Sequence, residues 1–507
     1  MAKTIAVIDI GMTNKKIAIY SASLELLAIE KKLFPPLIVD GLEAHDLDGM
    51  EAWFFSTLKA LSASYDIGAL AICAHGATFV CADAGGRAVL PCLYYTHEPG
   101  PEFHKRFYAM AGDPCKLQVA TGTPALSALI NSAKGFFFAR ERWPEAYARM
   151  KLALPYPQYW GGLLTGITGV EGTYVGCHTY LYDWIKNDYS SVARGLDLAG
   201  KLPRPIRNSW EILGTVLPEV ADKAGLSPDT IVTMGIHDSN ASLLPYLVKG
   251  NKTDFIVNST GTWCVLMHPQ ERYGFAPDEI GKVVFFNRSA YNKPVKTAIF
   301  FGGWEYETWS SLSRSLVRSA ATTSPNVSPD AALYAKILCE RSVFILPEIV
   351  PGSGQFPGSM PQAVENGIRY SLADIESGRS MPAFIRNPAV AEAALNLSLA
   401  LQTIVALERA GLAPGQKIFI EGGFRNNLDY NALLAAALPA NSILLTDMGE
   451  ATSFGAALTG LAALEGKNPS ELASLFSIQQ IQAQSMPSLV GLDDYRKEWL
   501  RLIAANV

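Results

Sequence analysis

Residues 231–240, IVTMGIHDSN, run from an apolar, strand-like segment through Gly235 directly into His237 and Asp238. A carboxylate delivered there has two uses. Asp238, Ser239 or Asn240 can cap a helix running through ASLLPYLV, accepting a bond from a free amide of its first turn. Alternatively, Asp238 is a catalytic base at the C-terminal edge of a parallel sheet, where α/β proteins hold their ligands. A second group of candidates lies in DIGMTNKK (9–16), where Gly11, Thr13 and Asn14 form a turn whose amides and hydroxyl suit phosphate oxygens. Asp9 can hold Mg2+ through water and Lys16 adds positive charge. STGT (259–262) offers Thr260, Gly261 and Thr262 in the same arrangement, and two such turns facing one another would grip a polyphosphate from both sides. Each turn alone is also what an ordinary hairpin requires. The G-x-x-x-x-G-K-[ST] loop is absent.

The elements that must position these residues alternate between strand-like and helix-like from end to end, which implies an α/β architecture. TIAVIDI (4–10), a turn and KKIAIYSA (15–22) read as a hairpin; TDFIVN (253–258), STGT and WCVLMH (263–268) repeat it half a chain later. The repeat divides the 507 residues into 1–245 and 246–507. KIFIEGGFRNN (417–427) is a buried-type strand ending in Gly422 and Gly423. Residues 387–411 read as a long apolar core helix with Gly411 beyond its end, and 448–466 as a small-residue helix packed tightly on a sheet. Segment 318–332 is the most loop-like. Hydrophobic residues make up 49% and charged residues 18%, with a net charge of −5 and no run of Lys or Arg, which argues against nucleic acid as a partner. Seven scattered cysteines without a C-x-x-C pair imply reduced thiols. The first apolar run is short and interrupted by Asp9, and no uninterrupted apolar stretch approaches membrane length, so a cytoplasmic protein with no membrane partner is expected. A homodimer is the commonest symmetric assembly.

In combination these segments resemble the FGGY family of carbohydrate kinases over nearly the whole length. Asp9, Gly11, Thr13 and Lys16 match its first phosphate motif, with Met12 in place of the usual Thr. PQYWGGLLTG (157–166) is similar to its D-Y-x-x-x-x-L-T-G segment, with Gln158 for the Asp. Gly235 and Asp238 match G-x-x-D, and Gly261 and Thr262 match the second phosphate turn. Gly422, Gly423, Glu450, Ala451, Gly455, Ala456 and Ala457 match the adenosine-side motifs. The resemblance implies two actin-like, ribonuclease H-like domains with a cleft between them and Mg2+-ATP as phosphoryl donor. It further implies adenosine near Gly422, Gly423 and Asn426, a small sugar as acceptor, and Asp238 as the base. GIHDS, STGTW and NLSLALQT point to the rhamnulokinase and fuculokinase branch, hence to a 6-deoxy-ketohexose such as L-fuculose or L-rhamnulose. The alternatives are a pentulose, tetrulose or polyol kinase, or a non-catalytic actin-like nucleotide-binding protein. The family's sugar loops are altered: His75-Gly76-Ala77 replaces Gln-Met-His, Tyr95 to Pro99 replaces Trp-x-Asp-x-Arg, and GSGQFP (352–357) replaces Gly-Glu-Arg-Thr-Pro. Gly76, His237 and Asn287 match substrate-contacting positions of that branch, and aligning the altered loops adds His75, His97 and Glu98. Trp304 could stack on a sugar face, although core packing competes for a Trp in an apolar run.

Overall fold

The computed structural model describes residues 3–12, 14–250, 254–316, 330–487 and 489–505. Two seven-stranded sheets organise it. The first contains β1 (Thr4–Ile10), β2 (Asn14–Tyr20), β3 (Leu26–Leu33), β4 (Ile67–Ala74), β5 (Ile212–Thr215), β6 (Ile231–Thr233) and β7 (Ile236–His237), in the order β5-β6-β4-β1-β2-β3 with β7 beside β4. The second contains β8 (Phe255–Thr260), β9 (Cys264–Pro269), β10 (Val284–Arg288), β11 (Pro294–Phe300), β12 (Lys417–Gly422), β13 (Ser442–Thr446) and β14 (Gln480–Gln482), in the order β10-β11-β9-β8-β12-β13-β14. Each sheet is built on the same device. A hairpin opens it (β1 with β2, β8 with β9), a strand adds antiparallel beyond the hairpin (β3, β11), and two strands add parallel on the other side (β4 and β6, β12 and β13). The expected two-domain α/β fold is present, with the repeat visible as matching strand orders.

Alternation along β1 assigns its faces. Ala6, Ile8 and Ile10 join a cluster with Met50, Phe54 and Leu58 of α1 (Leu47–Ser62) and Tyr159, Trp160 and Leu164 of α2 (Tyr156–Thr165). Ile5 and Val7 face the opposite way, onto Ala241, Leu244 and Val248 of α3 (Asp238–Val248). The other side of α3, with Leu243 and Tyr246, packs on Phe255, Val257, Met267 and Phe419 of the second sheet. The helix that begins at Asp238 is therefore wedged between the sheets, and the division at residue 245 falls inside it. The apolar α4 (Pro388–Arg409), with a mean hydropathy of 1.6, is long and apolar enough to cross a membrane, yet it lies in the core of the second half, buried from Ala393 through Leu407. Gly411 follows its end at φ +87°, a left-handed conformation that suits Gly.

α5 (Ala451–Glu465) comes from the second half of the chain but lies on β1, β4 and α3 of the first. Its small residues permit this. A Cβ on Gly455 would lie 1.8 Å from the Ala241 carbonyl oxygen, and one on Gly460 would lie 2.6 Å from Ile5 Cγ2. Backbone cannot retreat from such a contact as a flexible side chain can. Gly455→Ala is predicted to lower stability by about 1–3 kcal/mol, the usual range for overpacking, read as a lower urea midpoint. Gly449→Ala, whose added Cβ meets nothing within 4 Å, should leave the midpoint nearly unchanged.

Candidate active site

Parallel register brings the first set of residues together. Asp9 of β1 is level with Cys73 of β4, and Ile236 and His237 of β7 are level with Cys73 and Ala74. The turn after β1, the His75–Gly76 segment after β4 and Asp238 after β7 therefore emerge at one edge of the sheet, the strands' C-terminal ends. Gly235 makes the last of these possible. Its φ of +83° breaks the strand between β6 and β7, and a Cβ there would meet Pro157 Cβ at 2.9 Å and the Ile72 carbonyl at 3.0 Å. Gln158, where the resemblance carries Asp, donates to the Met234 carbonyl just before this break. Beyond it, the His237 amide donates to Thr173 Oγ1, whose hydroxyl donates to Glu171. The N-cap of α3 is His237, whose Nδ1 accepts from the Ser239 amide; Asp238 is the first helical residue.

Asp238 opens into a cavity of about 110 Å³ shared by the two halves. The first half contributes His75, Gly76, Ala77, Tyr95, Ile130, Cys177, His178, His237 and Ser239; the second contributes Trp263, Val265, Phe285, Asn287 and Ile299. Tyr174 pins the His75–Thr78 segment by donating to the carbonyls of His75 and Thr78. Burial holds His75, His178 and His237 down to about 3, so these imidazoles are neutral at physiological pH. Burial also raises Asp238 to about 6, partly offset by hydrogen bonds from the Ser239 amide and hydroxyl. Among the described residues lining the cavity none is Lys or Arg. Asn287 Oδ1, His75 Nε2 and His237 Nε2 are buried with no hydrogen-bond partner in the protein. That leaves three polar atoms for a ligand.

His75, Gly76, His237 and Asn287 thus line one cavity with Asp238, whereas His97, Glu98 and Trp304 do not. His97 packs edge-on against Phe138. Glu98 staples its own loop, accepting from the Gly100 and Ala128 amides and pairing with His104. Trp304 is 46% exposed on helix Gly302–Leu316 beyond the second turn, and the indole in the cavity wall is Trp263. Sequence reasoning missed Tyr95, Cys177, His178, Trp263 and Phe285. The one visible trace was Cys177-His178, two adjacent ligand-type side chains in an otherwise apolar stretch.

The phosphate-type residues divide similarly. Gly11 and the exposed Asn14 form the first turn, and Thr13 lies outside the described residues. The buried Lys15, not singled out in the sequence, donates to the Gly11 and Met12 carbonyls and holds that turn from beneath. Lys16 lies between Asp9 at 3.7 Å and Glu450 at 2.6 Å, and Ser453 at the start of α5 donates to Asp9. Burial raises Asp9, while Lys16 and the Ser453 hydroxyl oppose the rise. In the second half, Thr260 is level with Gly422, so Gly261, Thr262, Gly422, Gly423 and Asn426 share one exposed edge. The Thr260 hydroxyl is occupied, donating to the Glu421 carbonyl and accepting from the Phe424 amide. Gly422 is required there, because a Cβ would sit 2.0 Å from the Thr260 carbonyl.

Comparison with known proteins adds the following. The N-terminal domain model of the FGGY family of carbohydrate kinases matches residues 4–245, and the carbohydrate kinase FGGY C-terminal domain model matches residues 252–469. A carbohydrate kinase from Novosphingobium aromaticivorans superposes with a TM-score of 0.78 at 25% identity, covering 99% of each chain. A ligand-bound xylulose kinase from Lactobacillus acidophilus has the same TM-score at 14% identity, covering 99% of this chain and 97% of that one, and thus shares the fold. Ribulokinase 2 of Staphylococcus saprophyticus is 36% identical over 98 residues, 19% of this chain and 17% of that protein.

The cavity's electrostatics predict a specific spectrum. In protein labelled with 15N in its histidine rings, His75, His178 and His237 should show no titration between pH 5 and 8; a midpoint above about 6 for any of them would contradict the burial described.

Proposed function

The chain belongs to the FGGY family of carbohydrate kinases, and from that premise we propose that it transfers the γ-phosphoryl group of ATP to a hydroxyl of a small neutral sugar, with Asp238 as general base. The observation that carries this reading is the position of Asp238, a half-buried carboxylate opening into a cavity walled by both halves. Its carboxyl titrates near 6, so it is ionised at neutral pH and poised to take a proton. The sugar oxygen forms its bond to the γ-phosphorus as the bond to the β,γ-bridging oxygen breaks; the hydroxyl proton passes to Asp238 and ADP departs. Neutral imidazoles at His75, His178 and His237 and the Asn287 carbonyl orient the remaining hydroxyls.

For the nucleotide, the residue 11–14 turn and residues 261–262 hold the phosphates; because the Thr260 hydroxyl and the Gly261 amide are engaged within the protein, Thr262 carries the contact on the second turn. Gly422, Gly423 and Asn426 border the adenosine. Asp9, electrostatically coupled to Asp238, is a hard oxygen donor that fits a magnesium ion keeping most of its waters. Magnesium, when bound, neutralises charge on the transferring phosphate. Lys16 approaches the phosphates by exchanging its pairing with Glu450.

A cavity containing a carboxylate and no cationic side chain disfavours sugar acids. Its apolar wall of Ile130, Val265, Phe285 and Ile299 supports a substrate with one hydrophobic end. A 6-deoxy-ketohexose supplies that end as a methyl group, which gains about 0.8 kcal/mol on burial. A pentulose is the competing reading, favoured by the local likeness to a ribulokinase.

Asp238→Asn should reduce sugar phosphorylation by about 10²–10⁴-fold while nucleotide affinity, measured by calorimetry, stays close to that of the parent. Retention of near-full turnover would return Asp238 to a structural role, and ATP binding without sugar-dependent ADP release from the unaltered protein would favour a non-catalytic nucleotide-binding protein. In the parent enzyme kcat should fall as pH drops through about 6, because protonation removes the base and the cavity histidines do not titrate in that range. In a panel of L-fuculose, L-rhamnulose, ribulose, xylulose, glycerol and gluconate, the 6-deoxy sugars should lead in kcat/KM and gluconate should be inert. A tenfold lead for a pentulose or polyol would overturn the substrate and leave the reaction class intact.

A further inference from the structure

We infer that Cys177, His178 and His237 form a binding site for a transition-metal ion of the zinc type inside the sugar cavity, and that the bound ion excludes the sugar. Cys177 Sγ and one ring nitrogen from each histidine lie within 4.8 Å of one another. Tetrahedral zinc, with bonds of about 2.0–2.3 Å, needs its ligand atoms about 3.5 Å apart. Small side-chain rotations close that difference.

Three further observations point to a ligand at this spot. His237 Nε2 is buried without a hydrogen-bond partner, on a side chain only 4% exposed. Both imidazoles aim at the space left by Gly76, where a Cβ would lie 2.4 Å from His237 Nε2 and 2.8 Å from His178 Nε2. The far nitrogen of His178 is placed as in metal-binding histidines, against a carbonyl, whereas His237 Nδ1 accepts from the Ser239 amide and has a carboxylate beside it. His178 Nδ1 is 3.2 Å from the Ile130 carbonyl, and His237 Nδ1 is 3.2 Å from Asp238 Oδ1. The backbone contributes as well: His178 adopts φ +40°, so that consecutive residues 177 and 178 both line the cavity. Such a conformation persists in a non-glycine residue only where its surroundings enforce it.

One sulfur and two imidazole nitrogens select zinc or cobalt over magnesium, which prefers oxygen donors and retains its water. Magnesium accompanying ATP therefore does not compete. On binding, the Cys177 thiol releases its proton to solvent as the metal–thiolate bond forms. The ion occupies the space assigned to the sugar, and by coordinating Nε2 it shifts the His237 ring proton to Nδ1, replacing the bond accepted from the Ser239 amide with one directed at the Asp238 carboxylate that the transfer step needs. Binding itself stands on geometry; its effect on turnover rests on the proposed kinase reading.

The test titrates the metal-free full-length protein with zinc by calorimetry and with cobalt by absorbance, where a thiolate ligand gives a near-ultraviolet charge-transfer band. One zinc per chain is expected. Cys177→Ala should abolish the cobalt band and weaken zinc at least about tenfold, and His178→Gln should weaken zinc comparably. Cys115→Ala and Cys339→Ala, at the exposed thiols, should change neither. Absence of stoichiometric zinc binding, a band surviving Cys177→Ala, or a band lost with Cys115 or Cys339 would overturn the site. Thermal unfolding checks that each variant is folded, and His178→Gln carries the test should Cys177→Ala fail to fold. In turnover assays zinc should compete with the sugar and not with ATP. Competition with ATP alone would overturn the exclusion of sugar, whereas zinc binding that depends on Cys177 in a protein inactive on every sugar would leave the metal site standing and remove the kinase reading.

Discussion

One helix wedged between two sheets governs this molecule. Helix Asp238–Val248 presents Ala241, Leu244 and Val248 to the first sheet and Leu243 and Tyr246 to the second, and it is locked by the contact of Gly455 with the Ala241 carbonyl. Tyr246 adds a polar anchor, its hydroxyl bonding to Glu421 and Thr446 of the second sheet. Close-packed interiors transmit displacement with little compliance, so the position of Asp238 at the start of this helix is set jointly by both halves. The cavity wall inherits the same dependence, since His237 comes from one sheet and Asn287 from the other.

Burial without counter-charge gives the cavity its chemistry. Desolvation disfavours every charged form, and the same physics that keeps His75, His178 and His237 neutral raises Asp238 into the range where a carboxylate exchanges protons at physiological pH. A nearby Lys or Arg would have held Asp238 ionised and weakly basic. Neutral imidazoles instead offer hydrogen bonds to hydroxyls, and also lone pairs to a soft metal. Those two capacities cannot be separated by local chemistry, because both derive from an uncharged ring with an unpartnered nitrogen.

The charged groups around the first turn are arranged differently. Lys16 and Lys31 converge on Glu450 while Ser453 bonds Asp9, so the first hairpin and the start of the small-residue helix are joined across the two halves. Lys31 is half exposed, and an exposed pair contributes little to stability. The value of the cluster lies in holding Asp9 beside the first turn, whose carbonyls the buried Lys15 grips from below.

The strand–turn–strand repeat, the Gly-rich turns and Gly235 before Asp238 were all legible in the chain, because each is local: period-2 alternation, a positive φ and a strand-to-helix junction leave their mark within about ten residues. So were the family resemblance and, through it, the two-domain fold. The residues lining the cavity were not legible to the same degree. His97 and Glu98 looked like sugar ligands from their place in an altered loop, yet the fold turns them onto Phe138, Gly100, Ala128 and His104, while Tyr95, two or three residues earlier, reaches the cavity. Trp304, the indole offered for the sugar face, lies 46% exposed outside the cavity and Trp263 stands in its wall, for a similar reason. Which member of a loop faces inward depends on the packing of segments far apart in sequence, and His178, Phe285 and Asn287 meet Asp238 only because two sheets close on one helix. Composition and local pattern determined the architecture and marked Asp238 as a candidate, cap or base, between which the family resemblance chose; tertiary packing alone decided which uncharged rings surround it, since desolvation is a property of the assembled cavity and of no single residue.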